Sequence, residues 1–213
     1  VGAGKDKTKF NVTNNVVVFQ TVNELSTPGN YANDSSSTTI NQPRQIVMKD
    51  FTVATTQTTQ PVLKLQSCKM SNFENIRITG PWTTGTAITR ANAGLELSSL
   101  SNVVCTQENK FDHVSVNGMS VGVVSDDDVY NNHFHCCYFT NLGQGVQFGQ
   151  NSTLGSQGQT TGPSKNKFGF SEFKNIDREA IAIQNGSNNF STHNNFEGVG
   201  NVGGTEGNAQ YSV

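Results

Sequence analysis

The chain has 213 residues and a formal net charge of −2, and only 14% of its residues are Asp, Glu, Lys or Arg. So sparse a set of cations argues against a nucleic-acid partner, whose phosphates demand clustered Lys and Arg. No apolar run approaches the roughly 20 residues of a membrane helix, so no membrane insertion is expected.

The polarity comes from Asn, Ser, Thr, Gln and 21 Gly, with 13 Phe to bury. That is a composition of turn formers and β-compatible residues, and its burying capacity sets it apart from a disordered chain. At the start, Val1 in place of Met predicts a processed protein or a fragment. Lys5, Lys7 and Lys9 are interrupted by Asp6, and Gly4-Lys5 lacks the rest of a phosphate-binding loop. Strands are expected over 15–22, 45–53 and 61–66, with a loop over 26–43. One domain over 1–213 is expected, with 1–44 less regular, 45–200 as core repeats and 201–213 as a tail or continuation.

From residue 71 onward a repeat appears. Five segments align on a Phe: Ser71-Asn72-Phe73, Asn109-Lys110-Phe111, Asn132-His133-Phe134, Asn166-Lys167-Phe168 and Asn188-Asn189-Phe190. Three residues after the Phe come Ile76, Val114, Cys137 and Ser171. Five after it come Ile78, Val116, Phe139 and Phe173, and seven after it Gly80, Gly118, Asn141 and Asn175; the fifth repeat slips by one, with Phe196 six residues after Phe190. A second apolar pair follows as Val121 and Val123, Val146 and Phe148, and Ile181 and Ile183. The Phe spacings are 38, 23, 34 and 22 residues. The excess in the third lies in the Gly-rich stretch 150–163, and that in the first at 81–92 or 98–109.

Alternation sends every second side chain inward, and Asn and Gly tolerate the left-handed backbone of sharp corners. A single repeat exposes an apolar face, so repeats must stack. The pattern therefore predicts an all-β, right-handed parallel β-helix of about 22–23 residues per coil plus loops, with a Phe stack and a ladder of Asn109, Asn132, Asn166 and Asn188. Coils of this kind have no deep cleft, so function is expected on the outer wall. Uncapped ends invite further pairing, which predicts a homotrimer or a longer parent chain.

The Asn-x-Phe signature, the Phe and Asn ladders and the opening Val1-Gly2-Ala3-Gly4-Lys5 resemble the pectate-lyase-like β-helices, bacteriophage tailspikes and capsule depolymerases above all. The resemblance covers roughly 45–200. It implies a homotrimer in a virion tail or extracellular setting, other virion tail proteins as partners, bacterial surface polysaccharide as ligand, and in many members a glycosidase or lyase with acidic residues. Some relatives are structural only, so a non-enzymatic structural or adhesive β-helix is the alternative.

Registering the repeats places Arg77, Ser115, Tyr138 and Glu172 in one outward column, and Asn75, His113, Cys136, Phe170 and Thr192 in another. Cations, aromatics, a histidine and a carboxylate make a mixture suited to a glycan. Arg77, Trp82, His113 and Tyr138 are the candidate substrate-binding residues, with Trp82 either a sugar platform or packed on a neighbouring chain. Hydrolysis needs two carboxylates, and Glu172 and Asp177, with Glu179 and Arg178 nearby, are the candidate catalytic pair. Asp126-Asp127-Asp128 reads as a solvated turn, with calcium as the alternative. Cys68, Cys105, Cys136 and Cys137 lack zinc-type spacing, so no metal and no cofactor are expected. His133 and His135 flank Phe134 and read as surface residues.

Overall fold

The computed structural model describes residues 3–21, 43–99, 105–125, 128–149, 162–183 and 186–200. Among the described residues all regular structure is β, and every strand pair is parallel. The first sheet holds β1 (Lys9–Val12), β3 (Val47–Thr55), β5 (Asn72–Thr79), β8 (Lys110–Asp112), β9 (Ser115–Asn117), β12 (His133–His135), β13 (Tyr138–Leu142), β15 (Lys167–Gly169), β16 (Glu172–Ile176), β18 (Phe190–Thr192) and β19 (Asn195–Val199). The second holds β2 (Phe19–Gln20), β4 (Leu63–Gln66), β6 (Ala93–Ser98), β10 (Val121–Ser125), β14 (Gln144–Phe148) and β17 (Ile181–Ile183). A narrow third sheet pairs β7 (Thr106–Gln107) with β11 (Val129–Tyr130), and single bridges extend it through Arg44, Lys69, Ser164 and Ser187.

Each repeat pairs with the equivalent residues of the next, so like sits on like. Phe73 pairs Phe111, Phe111 pairs Phe134, and Phe134 pairs Phe168. Their rings stack with centroids 5.0, 4.5 and 4.8 Å apart and tilts of 13° or less. A second stack runs Ile78, Val116, Phe139, Phe173 and Phe196. Both stacks, apart from Phe196, belong to one continuous buried core. No repeat intervenes between Phe73 and Phe111; much of the extra length goes into the 80–92 connection.

Asparagine amides seal one corner of the core. Asn132 Oδ1 accepts from Asn109 N and Nδ2, and Asn132 N and Nδ2 donate to Asn166 Oδ1. The last step goes to Asn189, not Asn188: Asn166 N and Nδ2 both donate to Asn189 Oδ1 at 3.0 Å. The fifth repeat is thus shifted by one residue. Ser191 pairs Phe168, Phe190 pairs Lys167, and Phe190 stands 55% exposed. Asn188 instead takes a left-handed corner, φ 54°.

Two further expectations are corrected in detail. Val123 pairs Val146, so Val121 meets Gln144, and Val121 packs with Ala93, Val124 and Ile88 in a small cluster under the 80–92 connection. Asp128 is fully buried, not a solvated turn, and its carboxylate accepts from the Tyr130 hydroxyl. The other two Asp of that run, the loop at 26–42, most of 150–163 and the segment 201–213 lie outside the described residues.

Candidate functional site

Strict alternation would leave one outward residue between inward neighbours. Here it is broken at the same place in every repeat. Asn75, His113, Cys136, Phe170 and His193 have φ of 53°, 53°, 50°, 53° and 52°. A left-handed residue reverses the parity of the chain, so the residue before it and the left-handed residue itself both face outward. In the second repeat Phe111 and Val114 are buried while Asp112 and His113 between them are not. His193, not Thr192, holds this position in the fifth repeat, because of the one-residue shift.

Two consecutive outward residues per repeat, stacked about 4.8 Å apart, build blocks of four side chains. One block joins Asp112 and His113 to His135 and Cys136. His135 Nδ1 lies 3.0 Å and His113 Nδ1 3.1 Å from the same Asp112 Oδ1. Cys136 Sγ is 3.7 Å from His135 Nε2. Partial burial opposes ionisation of Asp112, but the hydrogen bond from His135 and the two nearby imidazoles outweigh it and hold the carboxyl below its ordinary range. Phe170 meets His135 edge-on at 5.6 Å and stacks on His193 at 4.9 Å and 5°. On the near side of the same strands, His133 sits between Lys110 and Lys167. Burial and those two charges push its imidazole down.

Beyond the corner runs the next outward column, Thr52, Arg77, Ser115, Tyr138, Glu172 and Asn195, in unbroken register. Tyr138 is 44% exposed. Arg77 is engaged with Asp6 at 2.9 Å. Glu172 opens β16 on the outer face, whereas Asp177 follows the strand's far end, is buried, and accepts from Gly85 N at 3.1 Å. Asp177 therefore anchors the 80–92 connection, at the opposite end of β16 from Glu172. Trp82 is only 9% exposed and donates its backbone N–H to Gly118 O. It is packed in, not displayed.

The expected residues thus divide. Tyr138, Glu172, Arg77 and His113 share one wall, while Trp82 and Asp177 belong to the connection beside it. The sequence carried no signal that Asp112, His135 and Cys136 meet, because the donors come from two repeats and only a left-handed corner turns two neighbours outward. No known protein family, curated protein or solved structure matches this chain.

Proposed function

We propose that the chain winds as a right-handed parallel β-helix of the tailspike type, whose outer wall binds bacterial surface polysaccharide. The unbroken one-repeat-on-the-next parallel register supports the winding, and parallel crossovers are right-handed in about 98% of cases. The observation that carries the glycan reading is the pair of outward columns, where Tyr138 and Phe170 offer exposed aromatic faces beside Ser115, Glu172 and His113. Aromatic faces stack on the apolar faces of sugars, and the neighbouring amide, hydroxyl and carboxylate groups bond the hydroxyls. A linear glycan laid along the stack meets one such set per repeat. Homotrimers in a virion tail or extracellular fibre, docked on other tail proteins, complete the proposal. Glu172 is the candidate acid for depolymerisation, and with Asp177 held in the 80–92 connection hydrolysis would need its second carboxylate from elsewhere.

The test is a glycan array followed by binding and reducing-end release on the best ligand. Tyr138→Ala is expected to lower affinity about tenfold with an unchanged melting temperature, since an outward residue carries little core energy. Glu172→Gln is expected to keep binding and abolish release. Unaltered binding in both variants would reject the wall and favour a structural fibre.

A further inference from the structure

We propose that Asp112, His135 and Cys136 form a surface site for a divalent transition-metal ion of the zinc class. One ligand atom from each lies within 4.8 Å of the other two. Asp112 Oδ1 lies 3.0 Å from His135 Nδ1 and Cys136 Sγ lies 3.7 Å from His135 Nε2, so the imidazole stands between a carboxylate and a thiol, one on each ring nitrogen. Bonds of roughly 2.0–2.3 Å to O, N and S set donor separations of about 3.3–3.8 Å. The ion would take one ring nitrogen of His135, and the donor on the other side would close in on it by side-chain rotation from within 4.8 Å.

The donor set selects the class of ion. A thiolate, an imidazole and a carboxylate suit zinc, cobalt or nickel, and they disfavour calcium and magnesium, which take oxygen. Three protein donors leave a fourth position open. His113, whose Nδ1 already touches the same Asp112 oxygen, can swing into it, or water can fill it. Binding replaces the hydrogen bond between Asp112 and His135 and displaces the thiol proton of Cys136 to solvent, so protons are released on loading. Phe170, edge-on to His135, braces the ring that must stay in place. The scaffold is also suitable: Asp112 and His135 are register partners on adjacent strands, so their separation is fixed by backbone pairing and does not depend on a loop.

The site does not depend on the glycan reading, and neither does its test. Cobalt(II) alone is titrated into the reduced, full-length chain and followed by absorption. The expected result is a saturable 1:1 sulfur-to-metal charge-transfer band in the near ultraviolet, displaced by zinc. Cys136→Ser should remove the band. Asp112→Asn and His135→Gln should each weaken binding at least tenfold. His133→Gln, on the same strand but in a different column, should leave it within twofold. A second readout keeps the test valid should Cys136→Ser fold poorly: zinc should slow alkylation of Cys136 about tenfold in the parent chain and not in Asp112→Asn. Absence of the band and of protection at millimolar metal overturns the proposal. So does undiminished affinity in Asp112→Asn or His135→Gln.

Discussion

Asn132 makes contacts on both sides of its own repeat. Its Oδ1 accepts from Asn109 N and Nδ2, its N and Nδ2 reach Asn166 Oδ1, and its Nδ2 also donates to Tyr130 O at 3.0 Å. Asn132→Ala removes the acceptor for a buried backbone N–H and leaves that group without a partner, at about 1–3 kcal/mol per orphan. Two or more orphans result, so a loss of about 3 kcal/mol is expected in chemical denaturation, close to that for Phe134→Ala. The cysteines make a different case. Burial pushes the thiols of Cys68 and Cys105 up, and that of Cys137 up to about 12. A raised folded value means the unfolded chain ionises first. The stabilisation is complete below the unfolded value near 9.0 and is lost as the pH rises above it. Stability should therefore fall above about pH 9. In the native state at pH 8, a thiol reagent should label Cys136, which is only half-buried, and spare the other three; rapid labelling of all four without denaturant would contradict this.

At the scale of the strand, the left-handed corner is what separates β8 from β9, β12 from β13 and β15 from β16. Cysteine and phenylalanine are poor occupants of that conformation, which costs a residue with a Cβ roughly 1–2 kcal/mol. Phe170 tests the point cleanly, because both Phe170→Ala and Phe170→Gly lose the same ring contacts, and only glycine relieves the backbone. Phe170→Gly should be about 1 kcal/mol more stable than Phe170→Ala in thermal melts, where ordinary backbone entropy predicts the reverse. This corner also explains what was readable in advance. The inward positions, Phe73, Phe111, Phe134 and Phe168, are legible because burial repeats the same residue type, and the outward column from Arg77 to Glu172 follows from the register they set. In the final repeat the slip is legible at Phe196, but Phe190 mimics the repeated Phe, while the register follows Asn189 and Asn194, whose side chains bond the preceding repeat. The Asp112 cluster was hidden because proximity across repeats depends on an offset that sequence spacing does not reveal. Trp82 and Asp177 looked like surface chemistry because nothing in a Gly-Pro-Trp start signals that the connection folds back on its neighbour.

For the molecule as a whole, a stack of pairwise-coupled repeats has its stability distributed by position. The central strands are largely buried on their inward side, while β18 is exposed throughout and β1 and β19 nearly so. Phe196 covers Phe173 at 5.2 Å but is itself 37% exposed. Opening should therefore begin at the ends. Amide hydrogen exchange is expected to be slowest in β8, β9, β12 and β13, with protection falling in steps toward β1 and β19. Uniform protection along the stack would mean that the ends are covered, as a trimer or continuing repeats would cover them.

The buried indole at the head of the 80–92 connection has an optical consequence. Trp82 is the single tryptophan of the chain, and its backbone holds Gly118 of the next repeat. Its emission therefore reports one local event, the seating of that connection, against a background of phenylalanine and tyrosine. The molecule carries an intrinsic fluorophore placed a short distance from the proposed wall. A ligand or partner subunit that lifts the connection will shift the emission to the red while the β-sheet circular dichroism stays constant. One that binds the wall alone will leave the spectrum where it is.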